Sequence, residues 1–192
     1  MSSRKKAFST SILWNGILFH SKEWCQLRDG GNRKVIEGVV ILSLDSKPCL
    51  LEYTIETDRS WQTRKAAVSG YMGRKAVSLV LKVDARHRWQ LNGDRLPSVD
   101  GCIDVDLGFS PSTNLLPIRR LGLEIGASAE VAAAWVEFPS MKVKVLRQKY
   151  SRSERDTYHY ESGGGRFTRD LLVNQGGLVT TYPGLWEMDA VV

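Results

Sequence analysis

The residues able to do chemistry in this chain are few, and most stand apart. Asp104 and Asp106 are two positions apart, which on a strand sets both carboxylates on one face. Such a pair can act as acid and base, hold a divalent cation, or meet a cationic side chain. Arg119 and Arg120 follow in the next segment. Neighbours on a helix point about 100° apart, so the two guanidiniums do not readily share one partner. The arrangement suggests that one arginine forms a bidentate pair with a carboxylate and fastens a helix to a sheet. The other is then free to face a cavity and to donate to a phosphate or a sugar hydroxyl. An Asp-x-Asp metal site of the sugar-nucleotide kind needs a nucleotide-binding α/β domain, and the sequence shows none, so no metal and no cofactor are expected.

Catalytic patterns are weak. His20, His87 and His159 are scattered, and none lies in a zinc-binding His-Glu-x-x-His run. Gly108-Phe109-Ser110-Pro111-Ser112 ends in serine where a nucleophile elbow needs glycine. Gly163-Gly164-Gly165-Arg166-Phe167-Thr168 misses the dinucleotide fingerprint, and its flanks read as a hairpin. No catalytic residue is assigned, although a triad can assemble from distant positions.

Aromatic residues are the other source of ligand contacts, because their faces stack on sugars and line apolar pockets. Most of the six tryptophans should be core residues in a β-rich chain. Trp61 and Arg64 are the better ligand candidates, since they lie in the polar run Asp58-Arg59-Ser60-Trp61-Gln62-Thr63-Arg64. Tyr150, Tyr158 and Tyr160 form a cluster, with Tyr158 and Tyr160 on one strand face. The expected ligand-binding set is Trp61, Arg64, Trp89, Asp104, Asp106, Asn114, Arg119, Arg120, Trp135, Tyr150 and Tyr160.

The elements that must hold these side chains have a period of two. Val77, Leu79, Leu81 and Val83 alternate, as do Ile103, Val105 and Leu107, and Met141, Val143 and Val145. This is the pattern of strands with one buried face. Ile12 to Phe19 reads as a first strand. Turn signals separate such runs at Asp29-Gly30-Gly31-Asn32, Asn92-Gly93-Asp94, Gly163-Gly164-Gly165 and Gln175-Gly176-Gly177. Asn-Gly suits the positive φ values of a two-residue hairpin. Residues 110–121 break the rhythm. Leu115, Ile118 and Leu121 recur at steps of three, which predicts one helix near 113–121, capped by Ser112, Thr113 or Asn114. Leu116 lies on another side, and a helix apolar nearly all round is a buried one. The pattern predicts a mainly β, largely antiparallel sheet wrapped around that helix.

The chain has 192 residues, 42% of them hydrophobic and 25% charged, which fits one globular domain. The expected division is a basic flexible tail over 1–11 and a single domain over 12–192. The net charge is +6, and residues 1–75 carry all of it, with 13 basic against 7 acidic residues. Arg4, Lys5 and Lys6 supply half of the excess. Three isolated cysteines, Cys25, Cys49 and Cys102, give an odd count and no Cys-x-x-Cys pair, which suggests a reducing, cytoplasmic setting. No apolar run approaches the length of a membrane helix.

The run Cys102-Ile103-Asp104-Val105-Asp106-Leu107-Gly108-Phe109-Ser110-Pro111-Ser112-Thr113-Asn114-Leu115-Leu116-Pro117-Ile118-Arg119-Arg120-Leu121 closely resembles the signature of the glycolipid-binding family, long known as a bacterial domain of unknown function. Supporting pieces stand in order on both sides. They include Glu23-Trp24-Cys25, Trp61-Gln62-Thr63-Arg64, Ala134-Trp135-Val136-Glu137-Phe138-Pro139, Gln148-Lys149-Tyr150 and Gly177-Leu178-Val179. Ser112 departs from the pattern, where a bulkier residue is expected. The resemblance extends over nearly the whole chain from about residue 12. It implies a spiral β-roll around a single helix, a homodimer, and binding of a glycolipid or similar amphipathic molecule.

The leading expectation is therefore non-enzymatic binding of an amphipathic ligand in an apolar cavity with a few polar head-group contacts. An alternative is an enzyme acting on a lipid-like or glycoside substrate, with Asp104 or Asp106 as acid or base. A third is a single-strand nucleic-acid module. The chain lacks a recognisable RNA-binding motif and its basic excess lies away from the tyrosines, so nucleic acid is not the expected partner.

Overall fold

The computed structural model describes residues 8–192. Arg4, Lys5 and Lys6 lie outside them. The strands are β1 (Phe8–Gly16), β2 (Ser21–Asp29), β3 (Arg33–Leu44), β4 (Lys47–Asp58), β5 (Thr63–Met72), β6 (Lys75–Val83), β7 (Trp89–Leu91), β8 (Asp94–Arg95), β9 (Asp104–Leu107), β10 (Ser128–Glu137), β11 (Lys142–Arg152), β12 (Thr157–Ser162), β13 (Phe167–Val173), β14 (Val179–Tyr182) and β15 (Trp186–Val191). The one α-helix, α1 (Leu115–Leu121), continues a 3-10 turn over Pro111–Asn114. A second 3-10 turn spans Pro97–Val99.

All fifteen strands form one sheet, in the order β8-β7-β6-β5-β4-β3-β2-β1-β15-β14-β13-β12-β11-β10-β9. Each arm is a meander of sequence neighbours, and β1 joins the arms by pairing antiparallel with both β2 and β15. The pair β9–β10 is parallel, because the 3-10 turn and α1 lie between those strands. Of the residues expected in a flexible tail over 1–11, those from Phe8 on are part of β1, and residues 1–7 lie outside the described ones. Ser9, Thr10 and Ser11 pair with Arg28, Leu27 and Gln26, so they belong to the sheet. The expected first strand also ends early, at Gly16. A Cβ there would stand 1.8 Å from Ser21 Oγ, so the chain turns at this point and leaves Ile17 and Leu18 exposed.

Alternation decides what the sheet covers. Ile12 and Trp14, Cys25 and Leu27, Ile36 and Val40, and Leu51, Tyr53 and Ile55 all point inward and are buried. Residues 111–118 are buried as well, so the helix is a core element enclosed by the roll. Gly122 ends it in the left-handed conformation at φ +53°, with its N–H donating to the Ile118 carbonyl. At Gly38 the bare backbone admits the Tyr53 ring, since a Cβ would come within 2.5 Å of its Cζ and hydroxyl.

The sheet curls far enough for its β9 edge to meet β5. Thr63 N donates to the Ile103 carbonyl at 3.2 Å, and its hydroxyl accepts from Val105 N at 3.0 Å. The Thr113 hydroxyl accepts from Leu107 N at 3.3 Å. On the opposite face of the sheet, Trp24, Ile41, Leu50 and Tyr71 are exposed on four consecutive strands, β2 to β5.

Candidate functional site

Two clefts open where β2 and β13 end and where β1, β12 and β14 begin. The wider one has a volume of about 760 Å3. Its walls are Ile118, Arg119 and Gly122 from the helix end, Arg152, Arg155, Asp156 and Tyr158 from the β11–β12 turn, and Val173, Asn174, Gln175 and Gly177 from the β13–β14 turn. The second has about 340 Å3 and is lined by Thr10, Leu27, Leu178, Val191 and Val192 together with Asn174, Gln175 and Gly176. The clefts thus share Asn174 and Gln175. One is cationic, with three arginines against one aspartate, and the other has no charged side chain in its walls.

Local sequence sets this geometry. Asn174 folds its own turn, with its N–H donating to the Leu178 carbonyl and its Oδ1 accepting from Leu178 N at 3.0 Å. Gly177 has φ +88°, which a side chain resists, and a Cβ there would stand 3.0 Å from Arg119 Cδ. The stem of Arg119 therefore lies along bare backbone. Its guanidinium sits 5.3 Å from the centroid of the Trp61 ring, and Lys34 Nζ lies 5.1 Å from the same ring. Arg152 donates to the carbonyls of Leu123 at 2.8 Å, Glu154 at 3.2 Å and Arg155. None of Arg119, Arg152 and Arg155 forms an ion pair with a carboxylate among the described residues.

Of the ligand-binding residues expected from sequence, Arg119 lines the wider cleft and Trp61, itself buried, packs against it. The others are engaged within the fold. Arg120 Nε and Nη2 donate to Asp104 at 3.2 and 2.5 Å, with Asp104 buried and Arg120 nearly so. This is the expected bidentate fastening of helix to sheet. Asp106 accepts from Gln148 Nε2 at 2.6 Å, and the same amide donates to the Tyr160 hydroxyl at 3.0 Å. Burial raises the Asp106 carboxyl to about 6, against the Gln148 hydrogen bond that lowers it. Burial also raises Asp104, and Arg120 pulls it back. Asn114 accepts from the Tyr150 hydroxyl at 2.9 Å. Trp89 donates from Nε1 to the Cys102 carbonyl at 2.9 Å. Trp135 is half-buried opposite Asp106 on β10. Arg64 pairs with Asp58 at 2.6 Å across the β4–β5 turn. No cluster of three metal-ligating side chains occurs among the described residues.

A second polar centre lies in the core. Glu23 is fully buried on β2. Its Oε1 accepts from the Tyr53 hydroxyl at 2.6 Å and from Ser110 Oγ at 2.5 Å, while Oε2 has no hydrogen-bond partner. Ser112, the departure from the family pattern, joins this network through its hydroxyl, 2.7 Å from Ser110 Oγ. Burial pushes the Glu23 carboxyl up to about 8, although both hydroxyl bonds favour the charged form. Sequence reading missed Glu23 and the cleft residues Arg152, Arg155, Asn174 and Gln175. The signal for Glu23 was its parity with Cys25 and Leu27 on an alternating strand.

A single long sheet coiled around one short buried helix defines a β-roll. The chain belongs to the family described as "Putative glycolipid-binding", whose profile matches residues 11–188. It is similar to a crystal structure of a DUF1089 family protein from Pseudomonas aeruginosa, with 36% identity and a TM-score of 0.77 over 86% of this chain and 91% of that one. No curated protein matches the chain. No helix among the described residues is long and apolar enough to cross a membrane.

Proposed function

We propose that the protein binds a glycolipid or similar amphipathic molecule across the paired clefts, without transforming it. The observation that carries this reading is the junction at Asn174 and Gln175, which sets a cationic cleft beside an apolar one. The apolar chain lies against Leu27 and Leu178, and the polar head reaches toward Arg119 and Arg155. A mostly apolar wall with a few placed polar groups is the usual form of a selective ligand site. The family description supports the same ligand class. Two copies associate through the exposed row Trp24, Ile41, Leu50 and Tyr71, an apolar surface that a solitary sheet has little reason to keep. Buried thiols at Cys25, Cys49 and Cys102 suit a reducing, cytoplasmic setting.

Titration with octyl glucoside below its micelle concentration, followed by backbone amide NMR, tests the site. The amides of Asn174 to Leu178 and of Leu27 should shift together and saturate. Saturable shifts confined to another surface, or none at all, would overturn the assignment.

A further inference from the structure

We infer that the head group taken by the wider cleft is anionic, a phosphate, sulfate or carboxylate, and not a neutral sugar alone. The inference rests on the binding site proposed above and goes further by fixing the charge of its ligand. Arg119, Arg152 and Arg155 come from two separate elements and converge on one cleft, in which Asp156 is the single acidic residue. Among the described residues Arg74 and Arg166 stand unpaired but singly on the surface, whereas Arg64, Arg88, Arg95 and Arg120 pair with carboxylates. The three in the cleft do not. Two of them are held in place by other means. Arg119 is wedged between the Gly177 backbone and the Trp61 ring. Arg152 spends three donors on carbonyls and lies 5.6 Å over the Tyr158 ring, which leaves part of its fork unused. Arg155 has no side-chain partner among the described residues.

The chemistry of a neutral sugar site is different. Sugar hydroxyls both donate and accept, so a site built for them alone balances its arginines with carboxylates. A guanidinium only donates, and its planar fork matches the oxygens of a phosphate or carboxylate. Three guanidiniums against one carboxylate, Asp156, leave the cleft cationic and match a ligand negative in charge, while the Asn174 and Gln175 amides stand on its border with the apolar cleft. The apolar cleft across Asn174 and Gln175 has no such preference, so the charge selectivity resides in the head-group side alone.

Calorimetry on the full chain with three probes tests this: octyl phosphate, octyl glucoside and inorganic phosphate. Octyl phosphate should bind at least about tenfold tighter than octyl glucoside, as charge-assisted bonds to guanidinium require. The advantage should shrink as ionic strength rises. The exposed substitutions Arg119→Gln and Arg155→Gln should each remove several-fold of it, while Arg166→Gln, at a distant turn, should not. Equal affinity for the two amphiphiles would refute the anionic head group and leave the paired-cleft reading standing. No binding of either amphiphile would refute both. Inorganic phosphate binding as tightly as octyl phosphate would keep the anion site and overturn the lipid reading.

Discussion

Replacing Glu23 with glutamine should make stability less dependent on pH, and the size of the effect follows from the surroundings of the carboxyl. Glu23 is fully buried, accepts two hydroxyl hydrogen bonds at Oε1, and has no partner at Oε2. Its carboxyl rises from an ordinary 4.5 to about 8. Below pH 4.5 the group is protonated in both the folded and unfolded chains, and its contribution to stability is fully present. As pH rises further, the unfolded chain gives up the proton while the folded chain keeps it. Stability then falls by about 1.4 kcal/mol per pH unit until pH passes the folded value near 8. The whole window amounts to about 5 kcal/mol, and the span from about pH 5 to pH 8 to about 4 kcal/mol. Glutamine has the shape of the protonated acid, and its Oε1 can still accept from Tyr53 and Ser110. Urea denaturation should therefore find Glu23→Gln close to the wild type at about pH 5 and more stable by a few kcal/mol at about pH 8. Asp106 titrates in the same direction between 3.8 and about 6, but it is present in both proteins and cancels in the difference. Parallel stability profiles from pH 5 to pH 8 would refute the claim that Glu23 is held neutral in the core.

Asp104→Asn leaves the guanidinium of Arg120 without its counter-charge in a nearly buried site, at a cost of about 3 kcal/mol, visible as a lower Tm near neutral pH. Arg120→Gln instead strands a carboxylate that burial already pushes upward and removes the partner that pulls it back, so its loss of stability should shrink as pH falls from 7 and the stranded carboxylate gains a proton. Wild-type melting in both variants would show that the pair does not fasten the helix. On the outer face, Trp24→Lys should shift sedimentation from dimer toward monomer with little change in Tm, and a wild type that sediments as a monomer at high micromolar concentration would remove that interface.

The sheet was legible because alternation is a local property. Val77 to Val83 and Ile103 to Leu107 each show their inner face without reference to the rest of the chain. The Asp104–Arg120 pair was legible too, since both residues lie in one continuous segment and neither charge can be buried alone. Ile17 and Leu18 misled because apolar character resembles a strand, while the close approach of Ser21 at Gly16 that turns the chain has no signature of its own. The clefts were hidden for a different reason. Arg152 and Arg155 sit at the β11–β12 turn and Gln175 at the β13–β14 turn, and only closure of the roll sets them beside Arg119. Trp89, Tyr150 and Tyr160 have the chemistry of ligand contacts, yet each hydroxyl or indole finds its partner inside the fold.

A sheet of this length would ordinarily be a hazard, because a free edge offers unpaired amides and carbonyls to any extended chain nearby. Here the two ends of the sheet are handled differently. The β8 edge is two residues long, and Pro97, which has no N–H to offer, follows after Leu96. The β9 edge is turned inward, where Thr63 occupies the Ile103 carbonyl and the Val105 amide and Thr113 occupies the Leu107 amide. Two threonines thus stand where a sixteenth strand would add. The coiling that encloses the helix also closes the β9 edge to a further strand.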